Sequence, residues 1–79
     1  MFWLYVLKSS GGKIYVGQTS NLEIRIRDHN NGNSYWTSRY IGWKLIYSEE
    51  YVSRREAMKR EKELKTGKGR DELKRIGIF

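Results

Sequence analysis

The chain contains no cysteine and a single histidine among its 79 residues. The first absence excludes disulfides and thiolate metal sites, and the second excludes a histidine-built zinc centre. Any bound metal must therefore be held by oxygen, which favours Mg²⁺ or Mn²⁺. Long apolar runs are also missing, since none approaches the roughly 18 residues of a membrane span. The opening Met1-Phe2-Trp3-Leu4-Tyr5 has no charged region ahead of its apolar stretch. These features lead to the expectation of a cytoplasmic chain, free or nucleoid-associated. No internal repeat, low-complexity tract or linker interrupts it, so residues 1–79 read as one domain. A domain this short buries only about 60% of the surface its unfolded form exposes, and ionisable groups should be scarce inside it.

Acidic residues are in short supply. Against 9 Asp and Glu stand 16 Lys and Arg, for a net charge of +7, and the segment from Ser53 onward carries +5 of it. Such a surplus points to a polyanionic partner, with nucleic acid the default over an anionic membrane.

Phe2 to Lys8 is rich in aromatic and β-branched residues, Ser9-Ser10-Gly11-Gly12 is turn chemistry, and Lys13 to Gln18 resumes the strand pattern. This predicts a β-hairpin. A three-residue loop with a left-handed glycine would set Tyr5 directly across from Tyr15. Ser20 and Glu23 have capping-box spacing, which predicts a helix to about Asn31 with Leu22 and Ile26 as its buried stripe. At 100° per residue, Arg25 and His29 share one arc with that stripe, one turn apart. Asn30-Asn31-Gly32-Asn33 stops the helix, Ser34 to Gly42 reads as a loop, and Trp43 to Tyr51 as a third strand. Ser53 and Glu56 repeat the capping box and open a second helix, in which Ala57, Met58, Glu61 and Leu64 share a face. Thr66-Gly67-Lys68-Gly69 reads as a break, followed by a short final helix from Asp71 to Ile76. Leu73, Ile76 and Phe79 would close the core.

Each polar candidate also has a plain structural reading. Strand tyrosines are commonly core residues with a satisfied hydroxyl. Arg25 can cover apolar surface with its stem, and His29 can complement a helix end. Glu61 is the sharpest item, because a carboxylate on an apolar helical face costs several kcal/mol of desolvation unless a cation meets it. That cation is either Arg25, in a buried ion pair, or a metal ion. Lys59, Arg60 and Lys62 read as a solvated helix face, and Tyr35, Trp36 and Tyr40 as core fillers or base-stacking platforms.

Leu4-Tyr5, Tyr15-Val16-Gly17, Asn21-Leu22 leading to Arg25 and His29-Asn30-Asn31-Gly32, and Glu56-Ala57 through Arg60-Glu61 to Lys65 together resemble the GIY-YIG endonuclease superfamily. The likeness is to its small single-domain members, similar to the N-terminal nuclease module of UvrC-type repair proteins. It implies an α+β fold with a three-stranded antiparallel sheet flanked by helices, in the order β-β-α-β-α-α. It also implies a divalent-metal phosphodiesterase using Mg²⁺ or Mn²⁺ on DNA, with RNA the second option, in repair, recombination or processing of branched or flapped substrates. By position, Glu61 would be the metal ligand, Tyr5 and Tyr15 would flank the attacking water, and one of them would be the general base. Arg25 would meet the scissile phosphate, and His29 would support the nucleophile or a phenol. A cation near a phenol would lower its pKa toward a useful range. Lys13, Arg25, Lys65 and Lys68 are the candidate nucleic-acid contacts. The chain departs from the family pattern in having Trp3 at the first motif glycine and no asparagine beyond Asn33. The competing expectation is a nucleic-acid-binding module that keeps the fold and cleaves nothing.

Overall fold

Aromatic and β-branched residues at the start form two strands of the sheet, β1 (Phe2–Lys8) and β2 (Ile14–Thr19). They belong to a computed structural model that describes residues 1–31 and 42–77. The turn has the expected chemistry. Gly12 sits at φ +88° and donates its N–H to the Ser9 carbonyl at 3.0 Å, while the Ser9 N–H reaches the Lys13 carbonyl at 2.9 Å. Its centre lies one residue later than expected, so Tyr5 pairs with Gly17 and Leu7 with Tyr15. The two tyrosines are therefore diagonal neighbours, not direct partners. Because the pairing moved by two positions, both phenols remain on one face.

β3 (Lys44–Tyr51) pairs antiparallel with the other side of β1, giving the order β2-β1-β3. Both faces of the central strand are covered, which explains the unbroken apolar run Leu4-Tyr5-Val6-Leu7 at 0% exposure. Leu4, Val6 and Val16 pack with Leu64 and Leu73 on one face, and Tyr5, Leu7 and Trp43 pack with Tyr15, Leu22 and Ile26 on the other.

Three helices supply those layers: α1 (Leu22–Asn30), α2 (Arg54–Leu64) and α3 (Gly67–Arg75). The cap of α1 is Asn21, not Ser20, and its side chain accepts from the Ile24 N–H at 3.1 Å. The Thr19 hydroxyl accepts the Asn21 N–H at 3.1 Å and fixes the chain entry one residue further on. Leu22 and Ile26 are only partly buried, and the fully enclosed residue of this helix is His29. Ser53 caps α2 as expected, accepting from the Glu56 N–H at 3.2 Å. Met58 departs from the expected apolar face and is exposed, leaving Ala57 and Leu64 as the buried pair.

The last helix begins at Gly67, four residues before the expected start. Thr66 is its cap: the hydroxyl accepts from the Gly69 N–H at 3.2 Å and donates to the Glu63 carbonyl at 2.6 Å. Gly69, which read as a helix breaker, lies inside α3, where a Cβ would run into the Glu63 carbonyl and the Leu64 backbone. The glycine lets α3 begin against the end of α2. Leu73 closes the core as expected, whereas Ile76 is 50% exposed. Phe79 and the loop aromatics Tyr35, Trp36 and Tyr40 lie outside the described residues.

Candidate active site

Tyr5 stands on the sheet face that α1 covers. A one-turn spacing on α1 aims two polar side chains at its hydroxyl: Arg25 Nε–H donates to it at 3.2 Å, and His29 Nε2 lies 2.9 Å away. Its ring lies over Gly17, where an added Cβ would stand 2.6 Å from the phenol oxygen and 2.9 Å from the Tyr15 ring. The motif glycine is thus the floor on which the two phenols come together. Their ring centroids are 6.1 Å apart, and the His29 ring lies 4.7 Å from that of Tyr15. Trp43 closes the back of the cluster, 6.4 Å from both Tyr15 and His29.

Trp43 is held by a residue that the sequence pattern did not single out. The Asn30 side chain accepts the Trp43 N–H at 2.8 Å and donates to its carbonyl at 3.0 Å, joining the end of α1 to the start of β3. An asparagine before a helix stop reads as capping chemistry, and nothing local in the sequence signals a long-range clamp.

Burial sets the protonation states. His29 is 1% exposed. Desolvation and the nearby Arg25 charge, opposed by Asp28, lower its pKa to about 4, so the imidazole is neutral near pH 7. Tyr5 moves the opposite way from the expectation of a lowered phenol. Burial raises its pKa and outweighs the stabilisation of a phenolate by Arg25, and the Tyr15 hydroxyl adds to the rise. Tyr5 is therefore a neutral phenol. Since a guanidinium can only donate, the Tyr5 oxygen accepts from Arg25, and its own proton is available to His29 Nε2 in the Nδ1–H tautomer. Arg25 is held charged chiefly by its bond to Tyr5.

Glu61 is on the flank of α2, between the buried Ala57–Leu64 stripe and the solvent, with a side chain 24% exposed. The expected burial within the apolar arc is not observed, and neither is an ion pair with Arg25. Its partner is Lys65 Nζ at 2.8 Å, which also stands 6.0 Å from the centroid of the Tyr15 ring. Lys65 thus links the Glu61 carboxylate of α2 to the neighbourhood of the Tyr15 ring on β2. Among the described residues no group of three or more His, Asp and Glu side chains could hold a metal ion. Glu61 is solvent-reached and faces a flexible, exposed lysine instead of a rigid guanidinium. A single carboxylate of this kind suits Mg²⁺, which keeps several of its waters.

The other candidate nucleic-acid contacts scatter. Lys13 is exposed in the hairpin turn. Lys68 lines a hollow on the α3 side, where Arg60 and Arg75 stand with Glu63, Asp71 and Glu72.

A second polar cluster lies on the α2–α3 side of the sheet. Arg60, which reads in the sequence as part of a solvated face, bonds Glu49 at 2.8 Å through Nε and Glu63 at 3.3 Å through Nη1, and pairs with Glu72 through Nη2. Tyr47 and Tyr51 both donate to Glu49, the latter at 2.6 Å. Burial pushes the Glu49 carboxyl up, but these donors together hold it below its ordinary value, and Tyr51 is pushed up to about 12 by burial and by Glu49. The alternation Tyr47, Glu49, Tyr51 on one strand face is the signal that could have revealed it.

A family model described as the GIY-YIG catalytic domain matches residues 1–74. Among curated proteins, the chain is 37% identical over 75 residues to a UPF0213 protein of Staphylococcus haemolyticus, spanning 94% of this chain and 92% of that one. It is 44% identical over 62 residues to a UPF0213 protein of Clostridium perfringens, spanning 77% and 67%. The solution NMR structure of a UPF0213 protein from Bacillus halodurans superposes with a TM-score of 0.58 at 26% identity, covering 98% of this chain and 86% of that one.

Proposed function

The chain belongs to the GIY-YIG family, and from that premise we propose that it is a divalent-metal-dependent endonuclease cleaving DNA phosphodiesters in repair, recombination or the processing of branched structures. The observation that carries the reading is the meeting of Tyr5, Tyr15, Arg25 and His29 on one sheet face, with Glu61 linked to the Tyr15 ring through Lys65.

Roles follow from accessibility. Tyr5 is fully buried and holds its proton tightly, so it neither touches a substrate nor serves as base. Half-buried Tyr15 is the phenol that a solvent-borne strand can reach; it orients the attacking water and, as the phenolate after releasing its own proton to solvent, takes the proton of that water. Tyr5 and His29 hold Arg25 and the Tyr15 ring in place. Arg25 keeps its charge and stabilises the negative charge that builds on the phosphate oxygens as the water attacks. Glu61 would hold the Mg²⁺ or Mn²⁺ ion, which when bound supplies Lewis-acid stabilisation of the leaving oxygen and acidifies water. Lys65, displaced from Glu61, is positioned to contact a phosphate.

Nicking of supercoiled plasmid in Mn²⁺ tests this. The wild type should nick, and Glu61→Gln and Tyr15→Phe should each lower the rate by at least about 10²-fold. Nicking that survives Glu61→Gln would refute the assignment. One observation favours the reading as a non-catalytic binding module: the Glu61 carboxylate is already engaged by Lys65. DNA binding without nicking in either metal would establish that alternative.

A further inference from the structure

The two flanks of α2 carry opposite charge character. On the flank beside β3 and α3, Glu56 and Glu63 accompany Arg60, which is spent on Glu49, Glu63 and Glu72. On the flank that continues outward from Glu61, successive positions around the helix are Arg54, Met58, Lys62, Arg55 and Lys59. All five are exposed and together line a shallow groove of ≈ 420 Å³. None of the four cations among them enters an ion pair among the described residues.

Arg54 differs from the other three. Its Nη1 donates to the Gln18 side chain at 3.0 Å, and its guanidinium lies 4.8 Å above the Phe2 ring, so it is fixed to the sheet without being neutralised. Arg55, Lys59 and Lys62 extend over two turns, about 10 Å of helix axis, close to three steps of about 3.4 Å along one strand of B-DNA, which a run of four phosphates spans. Beside them, toward Arg54, Met58 offers a soft apolar surface that suits a sugar or base edge.

We propose that this ridge is the track along which one strand of duplex DNA approaches the phenol pair, with Arg55, Lys59 and Lys62 meeting phosphates within a run of four and Glu61 at the inner margin. The occupant is fixed by charge. Among the described residues Arg54, Arg55 and Lys62 stand on one side of the helix without an ion pair, and Lys59 stands at the border with the hollow of Glu49, Glu56 and Glu63; together they form a directional field that a line of phosphates complements. The assignment of the occupant rests on the nuclease reading of the adjacent site, but the ridge itself is a binding surface and can be tested without cleavage.

The experiment measures binding of a fluorescent duplex oligonucleotide in chelator across a range of salt, for wild type and for the triple variant Arg55→Gln, Lys59→Gln, Lys62→Gln. A second triple variant, Arg70→Gln, Lys74→Gln, Arg75→Gln, makes the same change of net charge on α3. The ridge variant should weaken binding on the order of 10²-fold at about 0.1 M salt and reduce the slope of log affinity against log salt by about 2 to 3. The α3 variant should change the slope by less than about 1. Equal losses in the two variants, no loss in either, or ridge-dependent binding to phosphatidylserine vesicles in place of DNA would each overturn the proposal. Plasmid nicking by wild type is scored separately. Ridge-dependent binding without nicking removes the nuclease reading and leaves the ridge, whereas nicking with an unchanged salt slope removes the ridge and leaves the nuclease.

Discussion

Removing the Tyr5 hydroxyl deletes the atom that joins Arg25 Nε–H to His29 Nε2, where Tyr5 and His29 are buried and Arg25 is partly so. Tyr5→Phe should therefore destabilise the fold by about 1–3 kcal/mol, the range for stranding buried polar partners. Tyr15→Phe, at a half-buried ring, should cost under about 1 kcal/mol while lowering nicking by at least about 10²-fold, and urea unfolding of the two variants separates the roles. His29 makes a further prediction, whose sign follows from burial. Its folded pKa of about 4 lies below the ordinary 6.5, so the unfolded chain binds the proton first as pH falls. The stability due to its neutral form is complete above pH 6.5, declines between 6.5 and about 4, and changes no further below that. The loss is about 3 kcal/mol at most. Glu49, with a lowered carboxyl pKa, adds its own loss at acid pH, so the test is the difference between wild type and His29→Gln in denaturation across the series. A flat difference between pH 6.5 and 4 would show that the imidazole is not desolvated. The sequence identified Tyr5, Arg25 and His29 as a group. It did not give the direction of the Tyr5 shift, because that depends on β1 being the central strand, and strand order comes from which sequence-distant strands pair.

Strand and helix types followed the periodicities closely, and the errors gather where one residue type serves two purposes. Serine and asparagine both cap helices, and where the sequence reading placed the cap at Ser20 the structure has it at Asn21, whose N–H the Thr19 hydroxyl holds. Glycine both ends helices and admits close packing, so Gly67 and Gly69 read as a break although both lie in α3. The two glycines should respond differently to the same substitution. At Gly69 an added methyl group meets the backbone of Glu63 and Leu64, whereas at Gly67 nothing lies within 4 Å. Gly69→Ala should destabilise by about 2 kcal/mol or more, by overpacking where backbone cannot yield. Gly67→Ala, at a helical position without a positive φ, should leave stability unchanged or raise it by up to about 1 kcal/mol. Thermal melts of the two variants check both, and equal effects would mean that α3 does not start where Thr66 caps it.

At the scale of the molecule, the sheet separates two polar constructions, one on each side. The α1 side holds the phenol cluster, where a neutral histidine and a charged arginine share one buried hydroxyl. The α2–α3 side holds Arg60, which among the described residues is the cation that meets carboxylates from β3, α2 and α3 together. The sequence led to the first cluster because a family motif and helical spacing converged on it. It concealed the second because Arg60 stands among lysines that do face solvent, and only the packing of β3 and α3 against α2 distinguishes it. Arg60 is thus the link between the late elements and the sheet. Replacing it with methionine keeps the stem's packing but leaves Glu49, Glu63 and Glu72 facing one another with two tyrosine donors between them. Arg60→Met should lose about 2–4 kcal/mol near neutral pH, within the cost of breaking a part-buried ion network. It should recover part of that on acidification, because the carboxylates it strands are the ones that protonate. A charge-neutral partner change, Arg60→Met with Glu49→Gln and Glu72→Gln, should restore stability relative to the single variant. Urea unfolding at neutral and mildly acid pH measures both terms. A single variant as stable as the wild type would place Arg60 back on a solvated face, and with it the docking of α3 would rest on Leu73 and Gly69 alone.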